Sequence, residues 1–204
     1  MAPNSRISLT DTPLYRLTNT LARWAAVSCL WLVCSLPLLT LGAATKAALA
    51  VFTPAEDSGT VKKFFRAFRN GFLRITGLWL LIALLELLLG MDILFYRQLS
   101  RQGGAILAGI VLLLGNFLLN FQRFACFCAE GAEPGFRALL KRTAATMAVC
   151  LPAVGIATAM DLAAATALIK VPYLLFLIVI LPGLFADIHS RLIRSFLSRC
   201  SDGQ

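Results

Sequence analysis

The chain has 204 residues, of which 59% are hydrophobic and only 14% are charged. Soluble domains average about 45–50% apolar and about 25% charged residues, so this composition excludes an ordinary soluble domain and indicates a membrane protein. Lysine and arginine outnumber the acidic residues by 19 to 10, which gives a formal net charge of +9. In so apolar a chain, this excess favours cationic segments that face the cytoplasm and anionic inner-leaflet lipids, and we expect no nucleic-acid partner.

Five apolar segments predict an all-α fold, a polytopic membrane helical bundle that forms one domain over residues 1–204. A membrane-spanning helix needs about 20 predominantly apolar residues. The predicted segments cover residues 24–52, 75–96, 105–121, 144–169 and 171–185. Residues 1–23 are expected to form an amphipathic leader, and residues 186–204 a tail after the last span.

The distribution of lysine and arginine between these segments predicts the orientation of the chain, because short cytoplasmic loops carry the excess of cations. Leaving out the leader, twelve cations lie in three places: between the first and second segments, between the third and fourth, and after the last. The other two connections together carry three cations. We therefore expect a multi-pass protein of the cell membrane with a cytoplasmic C-terminus.

The first segment, 24–52, is interrupted between Pro37 and Gly42. Proline removes a helix donor and glycine loosens the backbone, so a break is expected there. One tilted, broken span would leave the arginines of the leader outside, against the charge rule. A re-entrant hairpin would keep them inside, but the segment is too short for two ordinary spans. Both alternatives remain open.

Three polar segments predict amphipathic helices at the cytoplasmic surface, the clearest of them at 61–74, with Thr60 as its cap. One face of this helix carries Val61 and the aromatic residues Phe64, Phe65, Phe68 and Phe72, and the other face carries cations. Weaker copies lie in the leader and after Pro134. We interpret them as elbows in the headgroup plane or as a docking face for a partner.

Charged side chains inside the apolar segments are costly and usually face protein or water. Glu86, Asp92 and Asp161 are the intramembrane acids, and Lys46 follows the Pro37–Gly42 break by one turn. A re-entrant first segment would allow a Lys46–Glu86 pair. A polar path lined by the three acids is the basis of an alternative function, that of a small secondary transporter or channel.

Two further patterns predict helix packing. Asn116 and Asn120 share a helix face with Arg123 and are expected to hydrogen-bond a neighbouring helix. A ridge of small residues every four positions is expected to allow close helix contact; it consists of Gly155, Ala159, Ala163 and Ala167. We interpret His189, the single histidine, as an interfacial polar residue.

Motifs for catalysis or cofactor binding are missing from the sequence. It contains no H-E-x-x-H, no G-x-S-x-G and no G-x-x-x-x-G-K-[ST] loop for ATP. The six cysteines lack the second pair or the histidines that a zinc site needs. We therefore expect no enzymatic activity, no cofactor and no metal ion.

Residues 31–47 read WLVCSLPLLTLGAATKA, and a phenylalanine-rich basic segment follows at 61–72. Both resemble the corresponding segments of the YesL-like bacterial membrane proteins, whose signature is W-x-x-x-S-L-P-x-x-T-x-G-x-x-x-x-A. That family is of unknown function, and its members are commonly encoded beside ABC-type oligosaccharide importers. The resemblance implies an accessory role in carbohydrate uptake in a bacterial cell membrane, with importer permease or ATPase subunits as partners. The candidate functional residues are Pro37, Thr40, Gly42, Lys46, Phe64, Phe65, Phe68, Phe72 and Glu86.

Overall fold

The computed structural model describes residues 13–54, 59–96, 101–129, 135–170 and 180–202. Within these ranges the chain is helical and has no β-strand, so the predicted all-α fold is confirmed. The helices are α1 (Pro13–Ser35), α2 (Leu41–Val51), α3 (Thr60–Arg69), α4 (Phe72–Tyr96), α5 (Arg101–Cys128), α6 (Phe136–Val149), α7 (Leu151–Lys170) and α8 (Leu181–Asp202). A short 3-10 helix, Leu38–Thr40, precedes α2.

Four of the described helices are long and apolar enough to cross a membrane, as expected of a multi-pass membrane protein. These stretches are Leu14–Ser35, Phe72–Asp92, Ile106–Cys128 and Leu151–Leu168. Of the predicted fifth segment, residues 171–179 lie outside the described residues, and residues 181–185 form the start of α8. In α5, 39% of the apolar stretch is buried, against 11–17% in the other three, so α5 is the central helix of the bundle.

The first apolar segment forms a helical hairpin. The Trp31 indole N–H donates to Thr45 Oγ1 at 3.2 Å, and Arg23 donates to the Val51 carbonyl oxygen at 2.7 Å, so α1 and α2 run antiparallel. One tilted span over residues 24–52 is therefore wrong. With 11 residues, α2 is about 16 Å long, roughly half the thickness of a hydrocarbon core. The described part of the leader, residues 13–23, is continuous with α1.

The last helix packs antiparallel against the first. The Trp24 indole N–H donates to Asp187 Oδ2 at 3.1 Å, and the Gly183 backbone N–H donates to Ser28 Oγ at 2.8 Å. A Cβ atom at Gly183 would overlap the Trp24 backbone, so the two helices touch at this glycine. The Ser28 hydroxyl thus satisfies one of the free N–H groups of the first turn of α8.

Residues 186–202 are not a tail beyond the bundle, which corrects the prediction for 186–204. They continue α8, and Asp187, His189, Ser190 and Ile193 are all at most 4% exposed. Asp187, His189 and Arg194 have partners outside α8, whereas Ser190 donates to the Asp187 carbonyl oxygen of the same helix. Because these buried polar groups are paired, a segment of low hydropathy can lie inside the bundle.

The predicted segment 144–169 is divided at Cys150 between α6 and α7. Pro152 has no backbone N–H and cannot continue the hydrogen bonding of α6, so it stands in the first turn of α7. The buried residues of α7 are Ala153, Val154 and Ala157. All four small residues of the predicted ridge are exposed within the described bundle, so none of the described helices packs on it and its role in helix contact stays a prediction.

Candidate functional site

The signature residues of the first segment build the hairpin. Pro37 precedes the 3-10 turn, and the Thr40 hydroxyl donates to the carbonyl oxygens of Cys34 and Pro37. Gly42 lies where α2 meets α4, because a Cβ atom there would be 2.5 Å from Trp79 Cβ. These side chains hold backbone in place, so their position indicates a structural role.

Lys46 is 3% exposed, and its Nζ donates to the Asn70 carbonyl oxygen at 2.5 Å. It also lies beside Gly71, just before α4 begins. Glu86 lies 15 residues after Gly71, which corresponds to about 22 Å along the axis of α4. The predicted Lys46–Glu86 pair is therefore wrong. Lys46 instead satisfies a carbonyl at the end of α3 and ties that end to α2.

The four phenylalanines do not share one exposed face. Phe64 is fully buried against the hairpin, Phe68 and Phe72 are half-buried, and Phe65 is 45% exposed. The rings of Phe64 and Phe68 stack at 6.4 Å, and those of Phe68 and Phe72 lie 5.4 Å apart. Most of the predicted docking face is thus occupied inside this chain.

The boundaries of the amphipathic helix also differ from the prediction of 61–74. The helix α3 begins at Thr60 with Gly59 in the cap position and no side-chain cap bond, so Thr60 is not the cap. It ends at Arg69, and the chain turns at Gly71, whose φ of +66° favours glycine. Phe72 therefore belongs to α4.

The three intramembrane acids are not gathered along one path. Glu86 Oε1 is buried without a hydrogen-bond partner among the described residues, and Glu86 lies against Gly115, where a Cβ atom would be 2.6 Å from its Oε2. Asp92 is exposed on α4. Asp161 lies elsewhere, between α5 and α8. The described structure therefore does not form a path lined by all three.

Asp161 is the centre of a charged cluster that joins three helices. Its carboxylate pairs with Arg123 of α5, and its Oδ1 lies 3.4 Å from His189 Nε2 of α8. His189 Nδ1 lies 2.8 Å from the Phe185 carbonyl oxygen, which can only accept, so Nδ1 carries a hydrogen. In the neutral imidazole, Nε2 is then an acceptor 3.1 Å from Arg123 NH1, whose two hydrogens are shared with Asp161 and Asn120. His189 is 1% exposed, so it lies inside the bundle, and its position at the membrane interface stays a prediction.

The asparagine seam of α5 extends the cluster, as its spacing predicted. Asn120 Nδ2 donates to Thr158 Oγ1 of α7 at 3.3 Å, and Asn120 Oδ1 accepts from Arg123 NH1 at 3.2 Å. Asn116 Nδ2 lies 3.5 Å from Asp161 Oδ2. These bonds fix α5 against α7 and set the direction of the Arg123 guanidinium.

A cavity of about 490 Å³ opens beside this cluster. Residues of α1, α2, α4, α5, α7 and α8 line it, and most of them are apolar. Two tryptophans, Trp31 and Trp79, contribute to its walls. The polar and charged residues of the lining are Thr45, Gln122, Arg123, Asp161 and His189. The volume lies within the range of small-molecule sites.

Three cations converge on the C-terminal end of α2. Arg23 donates to the Val51 carbonyl oxygen, Arg194 to that of Phe52 at 2.7 Å, and Lys63 to that of Thr53. The last carbonyls of a helix lack partners within the helix and carry its negative dipole end, so cations stabilise them. This carbonyl cluster joins α1, α2, α3 and α8.

Sequence patterns missed the Arg123–Asp161–His189 cluster as a unit. Helical spacing predicts that Asn116, Asn120 and Arg123 share a face. That spacing does not identify Asp161 or His189 as the partners of this face. The described residues contain no group of three or more histidines, cysteines and acids arranged to hold a metal ion.

Comparison with known proteins places the similarity in the first half of the chain. No curated protein and no solved structure matches it. The stretch that a family model matches begins at Trp24 and includes the rest of α1, the hairpin turn, α2, α3 and most of α4. It therefore contains the signature residues and Glu86. The Arg123–Asp161–His189 cluster lies outside it. A family model described as "Protein of unknown function, DUF624" matches residues 24–93 of this chain.

Proposed function

We propose that the protein is an integral accessory protein of the bacterial cell membrane, with its C-terminus in the cytoplasm. In this proposal it assists an ABC-type oligosaccharide importer by docking on the permease or ATPase subunits of that importer. The resemblance to the YesL-like proteins supports the link to carbohydrate uptake. The proposal involves no catalytic step and no cofactor.

The observation that carries the docking proposal is the way α3 is held. Phe64 packs in the core, Lys63 bonds the Thr53 carbonyl, and Lys46 bonds the Asn70 carbonyl beyond its end. The helix is therefore attached to the hairpin at both ends and along one side. A helix held in this way presents its outer side with little loss of conformational entropy on binding.

The outer side carries the α3 surface, which we define as Lys62, Phe65 and Arg69. All three side chains are exposed, and their spacing places them on one side of the helix. An apolar ring between two cations is complementary to an acidic loop with an apolar pocket. Such charge complementarity steers association and sets specificity more than it sets affinity. The same surface suits anionic inner-leaflet lipids, which are the expected neighbours in the membrane.

Affinity purification from native membranes tests the proposal. We expect importer subunits to purify with the wild-type protein and to be lost with the double variant Lys62→Glu, Arg69→Glu. The matched control is Lys141→Glu, Arg142→Glu, which makes the same charge change at two exposed residues of α6. This control should retain the partner.

Two results would contradict the proposal. One is recovery of no importer subunit with any variant when each bait is present at normal abundance. The other is equal recovery with both double variants, which would assign the α3 surface to lipid contact alone.

A further inference from the structure

We infer that a second pocket, between α1, the end of α2 and α8, binds a phosphate group. This pocket has a volume of about 320 Å³ and shares no lining residue with the large cavity. We call it the arginine pocket, and its lining includes Arg23, Trp24, Phe52, Asp187, Arg191 and Arg194. The inference goes beyond the docking function. It rests on the charge of the lining, on the donors that its arginines keep free and on its level along the hairpin.

The lining of the arginine pocket carries a positive charge that its own acid does not neutralise. Arginine stays protonated in proteins, and Asp187 is the one acid among the described lining residues. With Asp187 ionised, the formal charge of the lining is +2. The C-terminal end of α2 lowers this by roughly half a charge. A phosphomonoester carries a charge of about −1.5 to −2 at pH 7, which nearly balances the pocket.

The three arginines keep hydrogen-bond donors that the protein does not use. Arg23 donates through NH2, whereas Arg191 and Arg194 donate through Nε and NH2. Within the described part of the chain, the NH1 nitrogen of each arginine therefore has no acceptor. Arg23 is exposed, and the Arg191 side chain is 69% exposed. Arg194 NH1 is also accessible, since the buried unpartnered nitrogens of the described residues do not include it. Guanidinium groups match the terminal oxygens of a phosphate.

The protein fixes the guanidinium groups before a ligand arrives. Arg23 donates to the last carbonyl oxygen of α2 at 2.7 Å, and its guanidinium carbon lies 5.3 Å from the centre of the Phe52 ring. Arg194 donates to the Phe52 carbonyl oxygen, and Arg191 donates to both carboxylate oxygens of Asp187 at 2.7 and 2.9 Å. Side chains that are already held lose less conformational entropy when a ligand binds.

The level of the pocket along the hairpin favours the phosphate of a lipid. Both arms of the hairpin change from polar to apolar residues here, at Arg23 and Trp24 in one arm and at Phe52 and Thr53 in the other. Lipid headgroups lie at such a boundary, and a tryptophan is typical of it. Basic pockets between membrane helices are sites for lipid phosphates. A soluble phosphorylated molecule carries the same group, so the experiment compares the two sources.

Native mass spectrometry of the full-length protein, with lipids added to its detergent micelles, tests the inference. Three lipids with identical acyl chains end in a phosphomonoester (phosphatidic acid), a zwitterionic phosphodiester (phosphatidylcholine) or a carboxylate (diacylglycerol succinate). We expect phosphatidic acid to bind about tenfold more tightly than the other two. It should also slow hydrogen exchange at the pocket residues of α1 and α8. Glycerol 3-phosphate has the same phosphomonoester without acyl chains, and we expect it to bind more weakly.

Arg191→Gln removes one of the three guanidinium groups, and we expect about tenfold weaker binding of phosphatidic acid. Because this change also leaves Asp187 without its cation, Arg23→Gln is a second variant that keeps the Arg191–Asp187 pair, and we expect a similar loss. The matched control is Arg142→Gln, which makes the same charge change at an exposed residue of α6 and should bind like the wild type. Unfolding curves of all variants show whether the fold is retained.

Three outcomes would overturn the inference. The first is equal binding of the three lipids. The second is a loss with Arg191→Gln and Arg23→Gln no greater than with Arg142→Gln, which would attribute binding to the overall charge of the protein. The third is slowed exchange confined to helices other than α1 and α8. Glycerol 3-phosphate binding as tightly as phosphatidic acid, and lost in the same variants, would support the phosphate site and assign it to a soluble ligand.

Discussion

Replacing Gly42 by alanine tests whether this signature residue acts through packing. The added carbon would lie 2.5 Å from Trp79 Cβ and 3.1 Å from the Ile75 carbonyl oxygen. Carbon atoms in contact are about 3.5–4.0 Å apart. Trp79 Cβ is attached to the backbone and cannot rotate away, so α2 and α4 must separate by about 1 Å.

The free-energy change has two opposing parts. Forcing an extra methyl group into a packed contact costs about 1–3 kcal/mol. Alanine in place of glycine in a helix stabilises the folded state by about 0.5–1 kcal/mol. Gly77→Ala on α4 isolates the second part, because a Cβ atom at Gly77 would meet nothing within 4 Å. We therefore expect Gly42→Ala to be less stable than Gly77→Ala by about 1–3 kcal/mol.

Reversible unfolding in mixed micelles, followed by far-UV circular dichroism and tryptophan fluorescence, measures this difference. The fluorescence should also report a changed Trp79 environment, since the Trp79–Leu38 hydrogen bond lies at the same contact. Equal stability of the two variants would refute the argument. In that case the glycine at position 42 would be required for a reason other than helix packing.

Three further substitutions address the charged residues. Asp161→Asn leaves the Arg123 guanidinium without its counter-charge, and we expect a loss of about 3 kcal/mol in the same unfolding assay. Glu86→Gln removes a carboxylate that has no described cation partner, so stability should change by less than about 1 kcal/mol, and a larger loss would reveal a missing partner. Lys46→Met removes a charged donor from the Asn70 carbonyl, and we expect a loss of about 1.5–3 kcal/mol together with faster hydrogen exchange at the end of α3.

The spans could be predicted because length and hydropathy report directly on the need to satisfy backbone hydrogen bonds in a bilayer. The hairpin could not be decided in this way. Charge counting favoured a return of the chain, whereas the shortness of the segment 24–52 argued against two spans. The answer depends on contacts such as Trp31–Thr45, which no single-segment property contains.

The charged cluster beside the cavity could not be predicted from the sequence, for a related reason. Helical periodicity tells which residues share a face, so it grouped Asn116, Asn120 and Arg123. It does not tell which helix that face meets, and Asp161 and His189 lie 38 and 66 residues after Arg123. The failed Lys46–Glu86 pair has the same origin, since hydropathy does not determine how far along the bundle two residues lie.

The carbonyl cluster at the end of α2 has a consequence for the order of biogenesis. The Phe52 carbonyl receives its bond from Arg194, 142 residues later in the chain. During synthesis, α1 and α2 leave the ribosome long before α8, so the first hairpin enters the membrane with this carbonyl still open. The hairpin reaches its final hydrogen bonding only when the last helix has been inserted against α1, and a nascent chain that stops before Arg194 lacks the bond that joins its two ends.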